Sequence, residues 1–284
     1  MRIESVGIAG GGFMGSGIAE AVAVAGVPVT VRDVDLAAVD SARDRIQQSL
    51  SRAVSRGKLS DDEAAAAHGR IALTTELEAI ADADLVVEAV PEDERLKLEV
   101  IAAIGEVAGE RTIVASNTSS IPITQLAQAI SRPERVIGMH FFSPVPVMAL
   151  VELVVALDTS PETLADARAF VQRIGKHPIE TKDRSGFVVN MLLVPYLIAA
   201  VRMFEEGFAS REDIDAGMKL GCGHPIGPLA LADMIGLDVC LAIMEVFLEQ
   251  FGDSKYRPCP LLREYVAAGR LGRKSGSGVY GYEK

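Results

Sequence analysis

The chain has 284 residues, 49% of them hydrophobic and 24% charged, and a formal net charge of −11. That length accommodates two domains and a sizeable core, while the acidic balance lacks the cations that displace counterions from polyanions. Nucleic acid and anionic membrane surfaces are therefore not expected as partners. Three cysteines, Cys222, Cys240 and Cys259, with no CxxC pair, speak against a metal centre or a disulfide framework and fit a reducing cytoplasm. The chain opens on a strand pattern rather than a charged-then-apolar leader, and residues 186–201, the nearest approach to an apolar span, are broken by Asn190 and Pro195. A soluble cytoplasmic protein is the expectation.

The first strand is expected over 3–9, followed without a spare residue by Gly10-Gly11-Gly12-Phe13-Met14-Gly15 and a helical run from Ile18. A strand, a glycine turn and a helix N-terminus in that order direct backbone N–H groups at a dinucleotide pyrophosphate. Gly10 makes the turn, Gly12 admits the phosphates and Gly15 lets helix and strand pack closely. GxGxxG alone is a weak signal; the acidic residue expected about 20 positions on is the first check. The second strand, 27–33, ends in Asp33, eighteen residues beyond Gly15. A carboxylate there accepts from ribose hydroxyls and repels a 2′-phosphate, favouring NAD over NADP, a preference that the neighbouring Arg32 tempers without reversing.

Residues 34–84 are too long for a simple crossover and read as two or three helices, with a helical hairpin over about 36–70. Gly57 breaks it, and Ser60-Asp61-Asp62-Glu63 carries a capping-box pattern for the second helix. Arg43, Arg45, Arg52, Arg56 and Lys58 give the hairpin the densest positive charge in the chain; a solvated face accounts for most of it, and Lys58 at the tip is the candidate for an anionic ligand. Asp82-Ala83-Asp84 reads as a turn into a buried edge strand at 85–90. Further strands are expected at 112–116, 136–140, 151–155 and 178–181. The alternation implies an α/β, doubly wound, mainly parallel sheet of Rossmann type over residues 1–184. Residues 185–284 read as an all-helical domain, with helices at 188–204, 211–220, 228–251 and 260–268.

Ligands of open α/β sheets lie beyond the carboxyl ends of the strands. Those positions hold the glycines, Asp33, Glu92 with Lys97, then Asn117-Thr118-Ser119-Ser120, and His140. A histidine and a hydroxyl cluster at adjacent strand ends, facing a nicotinamide, suit alcohol oxidation, because the carbinol proton must leave to a base titrating near neutrality. Of four histidines, His68 reads as solvated, His177 and His224 as turn residues preceding proline, and only His140 as a strand-end group. Glu152 inside the apolar Leu150-Val151-Glu152-Leu153-Val154 needs a partner and can hold the imidazole in one tautomer. Asn190, an amide inside a similarly apolar run, is the remaining candidate.

Ser116-Asn117-Thr118-Ser119-Ser120, His140-Phe141-Phe142-Ser143-Pro144, Leu150-Val151-Glu152, Ser185-Gly186-Phe187-Val188-Val189-Asn190, Gly227 to Asp233 and the tail Gly272 to Gly276 together resemble the 3-hydroxyacyl-CoA dehydrogenase family, and most of all its short, stand-alone 3-hydroxybutyryl-CoA members. The resemblance covers essentially the whole chain. It implies that His140 takes the 3-hydroxyl proton, Glu152 supports the imidazolium, Ser119 hydrogen-bonds the substrate oxygen and Asn190 reaches the substrate carbonyl region. It further implies that Glu92, Lys97 and Lys274, with Asn117 and the Gly10, Gly12, Phe13, Met14 and Gly15 turn, contact NAD, and that Lys58 meets the CoA phosphates. The helical domain is expected to bind substrate and to supply a homodimer interface. Two positions depart from the family pattern: Ser143 stands where Asn is usual, and Met191 where Arg is frequent. Alternative substrates on this reading are an acyl carrier protein thioester or a sugar acid, as in the related gulonate dehydrogenases, and a non-catalytic NAD-binding protein is a third class.

Overall fold

The computed structural model describes residues 1–282 and divides into two compact units, Met1–Arg184 and the chain from Ser185 onward. The first unit is built on one eight-stranded sheet: β1 (Val6–Ala9), β2 (Val29–Arg32), β3 (Ile71–Thr74), β4 (Leu85–Glu88), β5 (Ile113–Ser116), β6 (Val136–Phe141), β7 (Leu150–Val155) and β8 (His177–Lys182). Their spatial order is β3-β2-β1-β4-β5-β6-β7-β8, parallel throughout except for the antiparallel pair β6–β7. β1, β4, β5 and β6 are buried along their whole length, as strands covered on both faces must be. The chain leaves β1 toward β2 on one side while β4 adds on the other, so the turn after β1 sits at the topological switch point.

Helices α1 (Phe13–Val24), α2 (Leu36–Ser55), α3 (Asp61–His68), α4 (Glu94–Val107), α5 (Ile123–Ala127) and α6 (Pro161–Arg173) complete this unit. The α2–α3 hairpin forms as the capping pattern requires: Ser60 Oγ accepts from the Glu63 amide at 3.2 Å, and Glu63 Oε2 accepts from the Ser60 amide at 2.8 Å. Residues 71–74, in the interval 34–84 for which only helices were expected, form the edge strand β3, which pairs with β2 from Val29↔Ile71 to Arg32↔Thr74. β4, expected at a sheet edge, is central between β1 and β5, because β3 rather than β4 extends the β2 side. His177 opens β8 instead of lying in a turn.

The second unit is helical: α7 (Val189–Glu205), α8 (Arg211–Ala216), α9 (Pro228–Ile235), α10 (Leu237–Phe251) and α11 (Pro260–Ala267). The expected single helix at 228–251 is two, divided by Gly236, whose φ of 112° is open to glycine at little cost. A π-helical turn at Gly217–Gly221 continues α8. Val194, Leu197, Leu229, Leu237, Met244, Phe247 and Leu262 form the core of this unit, separate from the core under the sheet.

Candidate active site

The turn after β1 has the shape that a pyrophosphate requires. Gly10 has φ 105°, a conformation an L side chain rarely adopts, and a Cβ there would lie 2.8 Å from the Ala89 backbone. A Cβ on Gly15 would meet the Gly10 carbonyl oxygen at 1.8 Å, so its close contact is with the turn itself more than with the strand. A Cβ on Gly12 would meet nothing within 4 Å, and Gly12 caps α1 without a side-chain hydrogen bond to the first-turn amides. Phe13 is exposed, while Met14 packs against the core. Asp33 follows β2 beside this turn, accepting from the Gly11 amide and the Val34 amide, each at 2.7 Å. Ser16 Oγ donates to the Gly11 carbonyl at 2.7 Å and locks the loop from inside. Arg32, next to Asp33, spends its Nε on the Thr75 carbonyl at 3.2 Å. Uncapped amides, open space outside Gly12 and a carboxylate at the end of β2 fit a bound NAD.

His140 and Glu152 are directly opposite one another in the antiparallel β6–β7 register. Facing residues of such a pair project to the same side of the sheet. Their side chains meet, His140 Nδ1 to Glu152 Oε2 at 2.7 Å, with Glu152 fully buried and His140 6% exposed. The backbone of this strand end is held by Asn117, whose Oδ1 accepts from the Phe141 amide at 3.0 Å. The loop 142–149, which contains Ser143 and the cis Ser143–Pro144 bond, is tied by Lys176, whose Nζ donates to the carbonyls of Val145 at 2.7 Å and Met148 at 2.8 Å. Burial holds the Lys176 pKa below its ordinary value. The same loop packs on α1, where a Cβ on Gly17 would lie 3.0 Å from Val145. Glycine turn and histidine strand are thereby joined within one unit.

Ser119 belongs to a polar cluster around Glu92. Glu92 Oε1 accepts from Thr118 Oγ1 at 2.6 Å, the Ser119 and Ser120 amides at 2.9 and 3.1 Å, Ser120 Oγ at 3.0 Å and Ser119 Oγ at 3.2 Å. Burial pushes the Glu92 carboxyl up, but the Lys97 ammonium and the bonds from Thr118, Ser119 and Ser120 outweigh it, and the net shift is downward. Lys97 is 1% exposed and pairs with the fully buried Glu88 at 2.8 Å. Glu88 is a further buried carboxylate beside this cluster, and a charge inside Leu85-Val86-Val87-Glu88-Ala89 carries the same sequence signal as Glu152 in its own strand.

Lys58 is exposed at the hairpin tip, its amide donating to the Ala53 carbonyl at 2.9 Å. Arg45, on α2, lies with NH1 3.4 Å from the Gly11 carbonyl. In the second unit, Asn190 sits partly buried in the first turn of α7, just after Gly186, where a Cβ would strike the Phe247 ring at 2.2 Å. Lys274 pairs with Asp238 at 2.7 Å. Met191 packs against the helical core, its sulfur 3.5 Å from Tyr256 Oη. His68 and His224 are exposed, the latter with Nδ1 3.3 Å from Tyr196 Oη.

Comparison with known proteins identifies the family. The 3-hydroxyacyl-CoA dehydrogenase NAD binding domain matches residues 5–184, and the C-terminal domain of that family matches residues 186–282. The chain is 48% identical over its whole length, and 99% of the relative's, to a probable 3-hydroxybutyryl-CoA dehydrogenase of Bacillus subtilis. It is 40% identical to the mitochondrial hydroxyacyl-coenzyme A dehydrogenase of Homo sapiens, covering 99% of this chain and 92% of that one. It superposes on the crystal structure of (S)-3-hydroxybutyryl-CoA dehydrogenase from Ralstonia eutropha with a TM-score of 0.96 and 52% identity, over 100% of both chains. With both domains matched in order, the chain belongs to the 3-hydroxyacyl-CoA dehydrogenase family.

Proposed function

We propose that the protein interconverts a short-chain (3S)-3-hydroxyacyl-CoA, 3-hydroxybutyryl-CoA foremost, and its 3-oxoacyl-CoA, with NAD(H) as cofactor. The relatives named for this reaction match along the full length. The observation that carries the chemistry is the His140–Glu152 contact at 2.7 Å, buried at a strand end in the NAD binding domain. Glu152 accepts from Nδ1–H, which leaves the basic lone pair on Nε2; that nitrogen takes the 3-hydroxyl proton, and the buried carboxylate stabilises the imidazolium so formed. Ser119 Oγ hydrogen-bonds the substrate oxygen, and Asn190 serves the thioester carbonyl region. NAD bound there would supply the hydride acceptor for the carbinol carbon. Gly10, Gly12 and Gly15, with Phe13 and Met14, shape its pyrophosphate turn, Asp33 receives its ribose hydroxyls, and Glu92, Lys97, Asn117 and Lys274 line its site.

Lys58, exposed on the basic hairpin, is assigned to the CoA phosphates. Residues 185–284 act as the substrate-binding and dimerisation domain. The support for a homodimer is an apolar stripe on α7: Leu192 is 71% and Met203 40% exposed, with the exposed Ala199 between them on the same helical face. No described helix is long and apolar enough to cross a membrane, and a cytoplasmic location fits a chain whose cysteines are free among the described residues.

The test is NADH consumption with acetoacetyl-CoA beside longer 3-oxoacyl-CoAs, carrier-protein thioesters and a keto sugar acid. Fastest turnover is expected with acetoacetyl-CoA. A higher kcat/KM for the carrier-protein thioester or the sugar acid would replace the substrate assignment, and no turnover with any of them would replace the enzymatic one.

A further inference from the structure

A loop that leaves a strand end beside a reacting group must be held in place, and loop 142–149 does little of this for itself. Pro144 and Pro146 carry no N–H and donate nothing. Within the loop, the Val147 and Met148 amides both donate to the Pro144 carbonyl, at 2.9 and 3.0 Å. The Val145 and Met148 carbonyls are taken instead by Lys176 Nζ, at 2.7 and 2.8 Å. Lys176 reaches them from the turn between α6 and β8, just after Gly175, whose φ is 73°. The next amide, His177, donates to the Ala149 carbonyl at 2.7 Å, so the loop's far end is tied from the same turn. Lys176 thus grips main chain, whatever side chains the loop carries.

What is held this way is apolar. Val145 is buried against α1, while Val147 is 56% and Met148 39% exposed. Neighbouring exposed apolar side chains on one loop mark a contact surface. At the loop's near end, the Phe142 ring lies against the His140 imidazole, with centroids 4.5 Å apart and planes tilted by 54°. A ring that touches the base also borders what the base touches. We propose that Lys176 is a specificity-determining residue: by clamping loop 142–149 it holds Phe142 as a wall beside the carbon that His140 serves, and so sets how long an acyl chain fits. The inference rests on the assignment of His140 to the 3-hydroxyl proton. An alkyl chain beyond the carbinol carbon offers no polar atom, so its length is read by the position of apolar surface. That position is fixed only while the loop is. Lys176 is a positioning residue on this account. It acts on the space beside the imidazole and not on the proton affinity of His140, which the β6–β7 register pairs with Glu152.

A double-mutant cycle of Lys176→Met and Phe142→Ala tests it, read as kcat/KM for acetoacetyl-CoA and for 3-oxodecanoyl-CoA, with the pH profile of each. Lys176→Met is expected to lower the ratio of short over long substrate roughly tenfold, the scale on which an apolar pocket reads a methylene. Phe142→Ala is expected to lower the same ratio, and in that background Lys176→Met should change it by less than about twofold, since groups that act through one another are not additive. Lys176→Arg keeps a charged donor and is expected to restore most of the ratio. The acid limb of the pH profile is expected to stay where it is in the wild type. A lysine that only stabilises the fold would cost both substrates alike, and an unchanged ratio overturns the inference. So does an acid limb moved by Lys176→Met, which would make His140 itself the target. Wild-type turnover of His140→Ala would remove the parent assignment, and the inference with it; an impaired His140→Ala with an unchanged ratio in Lys176→Met removes the inference alone. Lys176→Gln, which retains a neutral donor, takes the place of Lys176→Met in the cycle if that variant does not fold.

Discussion

Each unit buries carboxylates, but sets them against different partners. In the first, Glu152 meets an imidazole and Glu88 meets an ammonium. In the second, Asp233 accepts from the Val279 and Tyr280 amides and from Tyr282 Oη at 2.8–2.9 Å, and Asp215 accepts from the Leu229 and Ala230 amides and from Tyr280 Oη. Amides do not give up their protons near neutral pH, and burial with the Asp215 bond pushes the Tyr280 hydroxyl far up. The aspartates therefore fasten the C-terminal tail and the start of α9, whereas the glutamates sit beside groups whose charge can change or be steered. Burial alone does not mark a functional carboxylate; the partner does.

The widest separation between the two kinds is expected from His140→Ala and Glu152→Gln set against Asp233→Ala. The first two should lower kcat by about 10²–10⁴ with NADH binding kept. Asp233→Ala strands one buried and two part-buried donors, each costing up to about 1–3 kcal/mol, so its melting temperature should fall on the order of 10 °C with kcat of the folded fraction near wild type. A catalytically silent Glu152→Gln would move Glu152 into the structural class. Asp33→Ser comes next: the ratio of kcat/KM for NADH over NADPH should drop roughly tenfold, the scale of one or two lost hydrogen bonds, and an unchanged ratio would assign the preference to another group.

Glu92 gives a smaller, pH-dependent effect. Its folded-state pKa lies below the ordinary 4.5, so its contribution to stability is present above that value and is lost as pH falls through the folded-state value. Thermal melts of Glu92→Gln and wild type should therefore converge as pH is lowered through that window; a difference that stays constant would assign Glu92 no linked proton. The smallest effect concerns thiols. Burial raises the Cys259 pKa and pushes Cys240 up to about 12, whereas Cys222 is exposed. One thiol per chain should react with a disulfide reagent in the native protein, and a second would show the helical core to be open.

Much of the site was legible because strand ends announce themselves. The glycine turn, Asp33, Asn117 and His140 each follow a β-branched run, and Glu152 stood out as a charge inside one. The pairing of His140 with Glu152 was legible from the lone carboxylate in its strand, and the β6–β7 register supplies the geometry that brings the two side chains together. β3 escaped because four residues on an edge, only partly buried, carry neither a long apolar run nor a flanking turn signal of their own. The break at Gly236 escaped because the apolar period resumes immediately in α10. Lys97 was legible as a strand-end cation but not as a buried one, since only the fold brings Glu88 beneath it.

The register of β6 and β7 has a consequence for how this enzyme can change. Histidine and carboxylate are matched by Gly138↔Val154 through Phe141↔Val151, not by the number of residues in the loop between them. Loop 142–149 can be lengthened, shortened or exchanged while the His140–Glu152 pair keeps its geometry, provided that no residue enters either strand. One insertion inside β7 would turn Glu152 to the opposite side of the sheet. Variation in substrate range is thus free to accumulate in the loop, and the strands on either side of it are where the lineage has no room to drift.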